Sequence, residues 1–238
     1  MALDLQSIYV LASGGSRAME QLDTTTNNIA NVNTSGFKKL LIEQMSQRLD
    51  ENGSDSNHLL VFPRFKQTLL DLSQGPLKET KAPLDLAIDG KGYFVIQRQN
   101  ETLLTRDGHF LLNEEGYLVD SLGNRVLDTQ NRPIQLDSQK DITITQEGAI
   151  YQKGKKVALL QIKDFTKIEP VGDTYYRPVG AAQTGEYKVH QGFLEGSNIN
   201  PVLEMTSLIT TQRKFEIYNN IIKSIDQLNQ KTNEIGKA

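Results

Sequence analysis

Residues 5–32 of this chain read LQSIYVLASGGSRAMEQLDTTTNNIANV, and the spacing of apolar and small residues in that run decides the fold. Ile8, Leu11, Gly15, Ala18, Leu22, Thr25, Ile29 and Val32 recur at alternating intervals of three and four, with Leu5, Ala12, Met19 and Thr26 widening the stripe on one flank. That is the heptad-like seam of a helix with one packed face. The far end of the chain repeats the theme with Met205, Leu208, Phe215, Ile222, Ile225, Leu228 and Ile235. Gln212 and Thr232 interrupt it, and Tyr218 and Ile221 broaden it, so the seam is expected to shift between Phe215 and Tyr218. At about 1.5 Å rise per residue, helices from near Leu5 to Val32 and from Pro201 to Ile235 would each extend on the order of 40 to 50 Å. Terminal helices fray unless something holds them, and the natural ties are each other and neighbouring copies.

The borders of both helices are marked. Asn200 places a capping side chain before Pro201, whose missing N–H is harmless at the first helical position. Asn31, Asn33, Thr34, Ser35 and Gly36 close the first helix, with Gly36 expected in the left-handed backbone of a helix stop and Phe37 folding back on the last turn. Gly14 and Gly15 each lower helix stability by roughly 1 kcal/mol relative to alanine. They mark either a kink or the close approach of another helix.

Between the helices the pattern changes. Tyr93–Val95, Leu103–Thr105, Phe110–Leu112, Tyr117–Val119, Ile142–Ile144, Val157–Ile162 and Tyr187–Val189 are short and rich in β-branched or aromatic residues. Asp89-Gly90, Asp107-Gly108, Glu115-Gly116, Leu122-Gly123-Asn124, Glu147-Gly148 and Lys153-Gly154 supply turn chemistry between them. The expected fold is therefore α+β. Long N- and C-terminal helices, 1–39 and 195–238, pack together as one split helical domain, and a predominantly antiparallel β-domain occupies 82–194. Residues 40–81 read as a linker with some extended structure, since Asp50 to Asn57 is polar and Pro63 follows.

Composition narrows the function. Of 238 residues, 37% are hydrophobic and the net charge is −3, so a core is affordable while nucleic acid is not indicated as a partner. No stretch of bilayer length is continuously apolar, which argues against membrane insertion. Cysteine is absent, excluding disulfides and thiolate chemistry. His58, His109 and His190 lack ligand spacing, Asp85 and Asp89 fall in a strand-like context, and Gly90-Lys91-Gly92 lacks the spacing of a phosphate loop. The expectation is no enzyme, with no catalytic, cofactor-binding or metal-binding residue. Asp4 is the first charged side chain and no basic region precedes the apolar residues, so no cleavable secretory signal is expected.

Three separated stretches carry a resemblance. Asn27-Asn28-Ile29-Ala30-Asn31-Val32-Asn33-Thr34-Ser35-Gly36-Phe37-Lys38 resembles the N-terminal signature of the bacterial flagellar axial proteins of rod and hook. Gly192-Phe193-Leu194-Glu195-Gly196-Ser197-Asn198-Ile199-Asn200-Pro201-Val202, with Glu204-Met205 and Gln212-Arg213-Lys214-Phe215-Glu216, resembles that family's second signature. Pro83 to Val95 and Thr105-Arg106-Asp107-Gly108-His109-Phe110 resemble its middle domain.

The resemblance implies a structural subunit of the flagellar basal-body rod, located where the rod spans the periplasm. It also implies export without cleavage through the flagellar type III apparatus, and terminal helices packing as a coiled-coil-like inner core of a tube with β-domains outside. Its implied partners are copies of itself, other rod subunits and the export apparatus. The implied assembly interface comprises Ile8, Leu11, Gly15, Ala18, Leu22, Asn27, Asn28, Ile29, Asn31, Val32, Gly36 and Phe37 from the first signature region. From the second region it comprises Glu195, Ser197, Asn198, Glu204, Met205, Leu208, Gln212, Phe215, Ile222, Ile225 and Leu228. Asn27, Asn28 and Asn31 would fix helix register by hydrogen bonding. The short stretch between Phe37 and Pro83 favours a proximal-rod type over a distal-rod type. An alternative of another class is a β-domain enzyme or glycan-binding module that its helices merely oligomerise.

Overall fold

The computed structural model describes residues 2–48, 61–99, 101–137, 139, 141–172, 174–183 and 185–235, with side chains described between Ile8 and Glu43 and between Leu69 and Thr232 within those ranges. The chain forms two compact units. One gathers Met1–Ala30, Leu40–Asp71 and Asn200–Ala238, and the other Asn31–Lys39 and Leu72–Ile199.

The first unit holds the two helices, α1 (Ala2–Ala30) and α2 (Pro201–Ile235). Among the described side chains of α1 the buried residues are Gly15, Ala18, Thr25 and Asn28, and the first three of these lie on the seam read from the sequence. In α2 the inward residues include Glu204, Leu208, Thr211, Phe215, Tyr218, Ile222 and Ile225, again at alternating intervals of four and three, with Ser207, Asn219 and Asn229 also half-buried. Two residues read on the α2 seam, Met205 and Leu228, are exposed in the single chain, as is Gln212, read as interrupting it. Tyr218, read as a broadening residue, lies on the seam itself. The reason is that α2 carries adjacent apolar pairs, Leu208-Ile209, Ile217-Tyr218 and Ile221-Ile222, so periodicity permits two faces one position apart.

Contacts at two heights set the pairing of the helices. The Tyr218 ring lies against Gly14, where an added Cβ would come within 2.8 Å of its edge, and Asn28 Nδ2 donates to Glu204 Oε2 at 3.4 Å. Gly14 and Asn28 are separated by the same number of residues as Glu204 and Tyr218, so both contacts belong to one antiparallel register, about 21 Å apart along the pair at 1.5 Å per residue. Of the two readings of the Gly14-Gly15 pair, the close approach of another helix is the one realised, with the partner coming from the same chain.

Asn200 starts α2 as the dipeptide predicts, its Oδ1 accepting the amides of Val202 at 3.1 Å and Leu203 at 3.3 Å. Replacing Asn200 with alanine is expected to destabilise the helical unit by about 1 kcal/mol. Denaturant unfolding followed at a helix-sensitive wavelength checks it, and an unchanged midpoint would show the cap to be dispensable.

Part of the segment expected as a linker is regular. β1 (Leu40–Arg48) and β2 (Val61–Leu70) form an antiparallel ribbon running from Leu40 opposite Leu70 to Arg48 opposite Val61, with a bulge between Glu43 and Gln44. The polar stretch from Asp50 to Asn57, on which the linker reading rested, lies outside the described residues.

All strand pairs of the second unit are antiparallel among the described residues. β3 (Leu77–Glu79) pairs with β18 (Phe193–Glu195), and β4 (Leu86–Gly90) with β17 (Tyr187–Gln191). The largest sheet is built around β5 (Tyr93–Arg98), β6 (Glu101–Thr105), β7 (Leu111–Leu112), β8 (Leu118–Val119) and β9 (Arg125–Val126). A meander of β10 (Ile142–Ile144), β11 (Ala149–Gln152) and β12 (Lys155–Leu159) follows. β13 (Ile162–Phe165), β14 (Ile168–Gly172), β15 (Tyr175–Pro178) and β16 (Ala182–Gln183) extend the large sheet. Leu86, Ile88, Phe94, Ile96, Phe110, Ile134 and Ile150 make its core, with Phe94 edge-on to Phe110 at 5.2 Å.

Such short strands hold because one five-residue turn recurs four times among the described residues. At Asn113, Asp120, Asp128 and Thr145 the carbonyl accepts the amide three residues on, while the side-chain oxygen accepts the amide four residues on. The fourth residue of each, Gly116, Gly123, Asn131 and Gly148, has positive φ. These are turns whose first side chain satisfies amides that the strands leave free. Three were legible from their glycines; Asp128–Arg132 was not, because asparagine takes the glycine position. Two expected turns are not turns between neighbouring strands. Gly90 ends β4 opposite Tyr187, and the carbonyl of Gly108 accepts the amide of Leu86. The expected strand Val157–Ile162 divides at Leu160-Gln161 into β12 and β13.

Candidate functional site

The two terminal signatures meet in the β-rich unit at a buried ion cluster. Glu195, the last residue of β18, is 0% exposed and receives Lys38 Nζ at 2.7 Å on Oε1 and Arg106 Nη1 at 3.0 Å on Oε2. The Gly75 amide adds a hydrogen bond to Oε1 at 3.0 Å. Lys38 Nζ also donates to the Ser73 carbonyl at 2.7 Å, and Arg106 to the carbonyls of Ile88 and Gly90 at 3.1 and 2.6 Å. A carboxylate moved from water into a protein interior loses several kcal/mol of hydration, so it persists only with such partners. Here three remote segments, around residues 38, 75 and 106, converge on one side chain. Beside them, burial and the neighbouring Tyr93 push the Tyr176 hydroxyl above its ordinary range, against the pull of a hydrogen bond from the Lys38 backbone.

Backbone contacts reinforce the junction. The Gly36 amide donates to the Glu195 carbonyl at 2.8 Å, and its left-handed φ of +70° turns the bare α-carbon against the backbone of Arg106 and Asp107. Gly36 was expected as the stop of α1; the helix ends at Ala30, and Gly36 instead serves as a close-approach glycine. Phe37, expected on the last helical turn, is buried and belongs to the β-rich unit. Asn198 Oδ1 accepts the Lys39 amide at 2.8 Å while its Nδ2 donates to the Ser73 carbonyl and hydroxyl at 3.1 and 3.0 Å. Ser197 is buried with its hydroxyl accepting the Ile199 amide at 3.4 Å. Asn31 caps the turn, its carbonyl accepting the Thr34 amide and its Oδ1 the Thr34 hydroxyl.

In the helical unit a second constellation centres on Asn28, which is 1% exposed. Its Oδ1 accepts the Leu40 amide at 2.9 Å and its Nδ2 donates to the Leu40 carbonyl at 3.0 Å, so the side-chain amide acts as a strand neighbour to the first residue of β1. The same Nδ2 reaches Glu204, which is 4% exposed. One asparagine thereby couples α1, α2 and the ribbon.

Of the remaining expected residues, Gly15 and Ala18 are buried, and Ile8, Leu11, Leu22, Ile29, Val32, Leu208, Phe215, Ile222 and Ile225 are half-buried. Asn27 is exposed, as are Met205, Gln212 and Leu228. Sequence reasoning missed Lys38, Arg106, Ser73 and Gly75. Lys38 and Arg106 stand inside the recognised motifs, yet a lysine or arginine in a polar stretch looks the same whether solvated or buried.

The arrangement offers cohesion rather than chemistry. Its carboxylate is saturated by donors, and among the described residues no group of three histidine, aspartate or glutamate side chains could hold a metal. His109 Nδ1 lies 2.8 Å from Asp85 Oδ1, and the His109 amide donates to Asp107 Oδ1 at 3.1 Å. Among the described residues no helix is long and apolar enough to cross a membrane.

Comparison with known proteins follows the same geography. Residues 8–38 match the family model for flagella basal body rod proteins, residues 87–152 the D1 domain of flagellar hook proteins FlgE/F/G, and residues 190–235 the C-terminal region of flagellar basal body rod FlgEFG proteins. The chain is 33% identical to the flagellar basal-body rod protein FlgF of Caulobacter vibrioides, over 97% of this chain and 98% of the relative. It is 34% identical to FlgF of Mesorhizobium japonicum over 88% and 89% of the two chains. It is 31% identical to the rod protein FlgG of Bacillus subtilis over 95% and 97%.

Proposed function

The chain belongs to the flagellar basal-body rod protein family, and from that premise we propose that it builds the rod through contacts between its terminal helices and those of neighbouring subunits. It is a structural subunit of the flagellum basal body, not an enzyme. Of the two rod types, FlgF is the better supported: FlgF relatives match at 33–34% identity and FlgG relatives at 27–31%. We read the subunit as proximal, in the rod where it spans the periplasm, and exported uncleaved by the flagellar type III apparatus.

The observation that carries the assembly reading is the outer face of α2. Val202, Leu203, Met205, Ile209, Ile217, Ile221 and Leu228 are 40% to 69% exposed in the single chain. An apolar face of that length is a contact surface, since isolated soluble helices keep such residues covered. On α1, Tyr9 and Met19 are likewise exposed, at 67% and 55%. On this reading Met205 and Leu228 face neighbouring subunits, while Gly15, Ala18, Asn28 and Glu204 prepare the surface by holding the helices in register.

Replacing Ile217 and Leu228 together with glutamate tests the reading. Both side chains are exposed, so the purified chain should keep its stability to within about 0.5 kcal/mol per site. Cells carrying the variant should lose swimming in soft agar and yield basal bodies without the subunit. Normal swimming would overturn the assignment of this face.

A further inference from the structure

The β-rich unit contains a recess of about 520 Å³ beside the loop Gly90-Lys91-Gly92, and rod assembly through helices gives it no use. Hydrogen bonds fix its floor and its loop. Both terminal nitrogens of Arg106 are taken by Glu195, Ile88 and Gly90, while its buried Nε is left without a partner. Gln74 Oε1 accepts the Gly90 amide at 3.1 Å, and the Lys91 amide donates to the Glu186 carbonyl at 3.1 Å. Tyr93 is only 4% exposed, edge-on to Tyr176 at 5.7 Å and with the Arg106 guanidinium 5.1 Å from its ring centre. Its hydroxyl nevertheless has no hydrogen-bond partner among the described residues and is not sealed from solvent, so the tip of this enclosed side chain opens into the recess it lines. Polar groups placed this deeply are normally paired, and an open, unpaired one offers a place to a ligand.

The donors and acceptors of the walls indicate the ligand. Charge favours neither sign at Tyr93: burial pushes the phenol up to about 12, Arg106 pulls against that shift, and Asp164 and Glu195 add to it. The hydroxyl therefore stays neutral at physiological pH, able both to donate and to accept. Beside it the Lys91 ammonium only donates. Asp164 Oδ1 accepts the Phe165 amide at 2.9 Å, and its Oδ2 has no partner among the described residues and only accepts. The Thr166 hydroxyl and the Gln183 amide, which complete the rim, do both. A carboxylate entering this set would have only acceptors to offer and would face Asp164; an ammonium would have only donors and would face Lys91. A hydroxyl donates and accepts from one atom, so several of them on one neutral ring answer such mixed walls in turn. Leu72 and Phe165 supply apolar surface for the C–H face of that ring.

We propose that this recess binds a neutral sugar ring, whose hydroxyls pair with the Tyr93 hydroxyl, Lys91 and Asp164. The sugar is either free or the end residue of a glycan chain, and the site stands apart from the helix contacts by which the subunit assembles.

The purified full chain, titrated with the methyl glycosides of glucose, galactose, mannose and N-acetylglucosamine and followed by NMR, should show saturable shifts of the Lys91, Phe165 and Gln183 amides with at least one of them. Tetrahydropyran-2-methanol, which keeps the ring but a single hydroxyl, should bind about tenfold more weakly, the loss expected for one or two neutral hydrogen bonds. Methyl glucuronide and methyl glucosaminide, which add a carboxylate and an amine, should gain no affinity over the neutral sugar. Tyr93→Phe and Asp164→Asn should each weaken binding by about fivefold. Tyr93→Phe should keep the thermal midpoint, because the hydroxyl serves no contact of the fold, and Gln183→Ala, at an exposed position, should weaken binding with the core untouched. Absence of binding by every glycoside, equal binding of the tetrahydropyran, unaltered binding by Tyr93→Phe, or about tenfold tighter binding of either charged analogue would each overturn the proposal. A trisaccharide that binds about fivefold more tightly than its end sugar identifies a glycan chain, and equal affinity a free sugar. Because the titration uses the isolated chain, its failure leaves the rod assignment intact, and failure of the helix-face variants leaves the recess intact.

Discussion

Replacing Glu195 with alanine should lower the unfolding midpoint of the β-rich unit by roughly 10 °C. The side chain is 0% exposed and is the shared partner of Lys38 and Arg106, which are 1% and 5% exposed. Removing one member of a buried ion pair typically costs about 3 to 5 kcal/mol, because the remaining charge stays desolvated. At roughly 2 to 4 °C per kcal/mol for a unit of this size, the shift is of order 10 °C. Both cations would lose the carboxylate they share, which places the variant at the upper end of that range. Lys38→Met should cost less, since Arg106 and the Gly75 amide would still satisfy the carboxylate. Differential scanning calorimetry of both variants checks the order. A shift under about 2 °C for Glu195→Ala would show that packing alone holds the junction.

Gly36→Ala should be of similar severity although it adds one methyl group. The backbone at Gly36 has a φ of +70°, and left-handed backbone costs a residue with a side chain roughly 1 to 2 kcal/mol. The added Cβ would also stand 2.3 Å from the Asp107 amide nitrogen and 2.4 Å from the Arg106 carbonyl carbon. Those are main-chain atoms at the ion cluster and cannot rotate away, so overpacking adds about 1 to 3 kcal/mol. The expected loss is about 3 kcal/mol in denaturant unfolding of the β-rich unit, summing the two effects. Gly123→Ala is the control. It shares a positive φ of 83° but meets nothing within 4 Å, so it should show the backbone cost alone. Equal losses would remove the close approach from the account.

Both effects concern positions whose residue types were legible but whose work was not. Gly36 announced a left-handed turn, and the sequence placed that turn at the end of α1, the nearest element. Its contact is with Glu195, far along the chain, and no local pattern encodes such a partner. Asn28 fared better, because an asparagine among seam residues already suggests a register-setting hydrogen bond, and it binds both Glu204 and Leu40. The pocket residues Tyr93 and Arg106 gave no warning, since burial and missing partners are properties of the folded chain.

The sequence by itself determined the two terminal helices, the asparagine that starts the second, the antiparallel character of the β-rich unit and membership of the rod family. The structural features rest on periodicity, capping and turn chemistry, which act within a few residues, and the family on the resemblance of three motif stretches. Only the tertiary structure decided which face of α2 is inward, that Leu40 and Leu70 begin a paired ribbon, and that Lys38, Arg106 and Glu195 share one buried site. Each of those depends on desolvation and contact between segments remote in the chain, and that free energy is absent until the chain has folded.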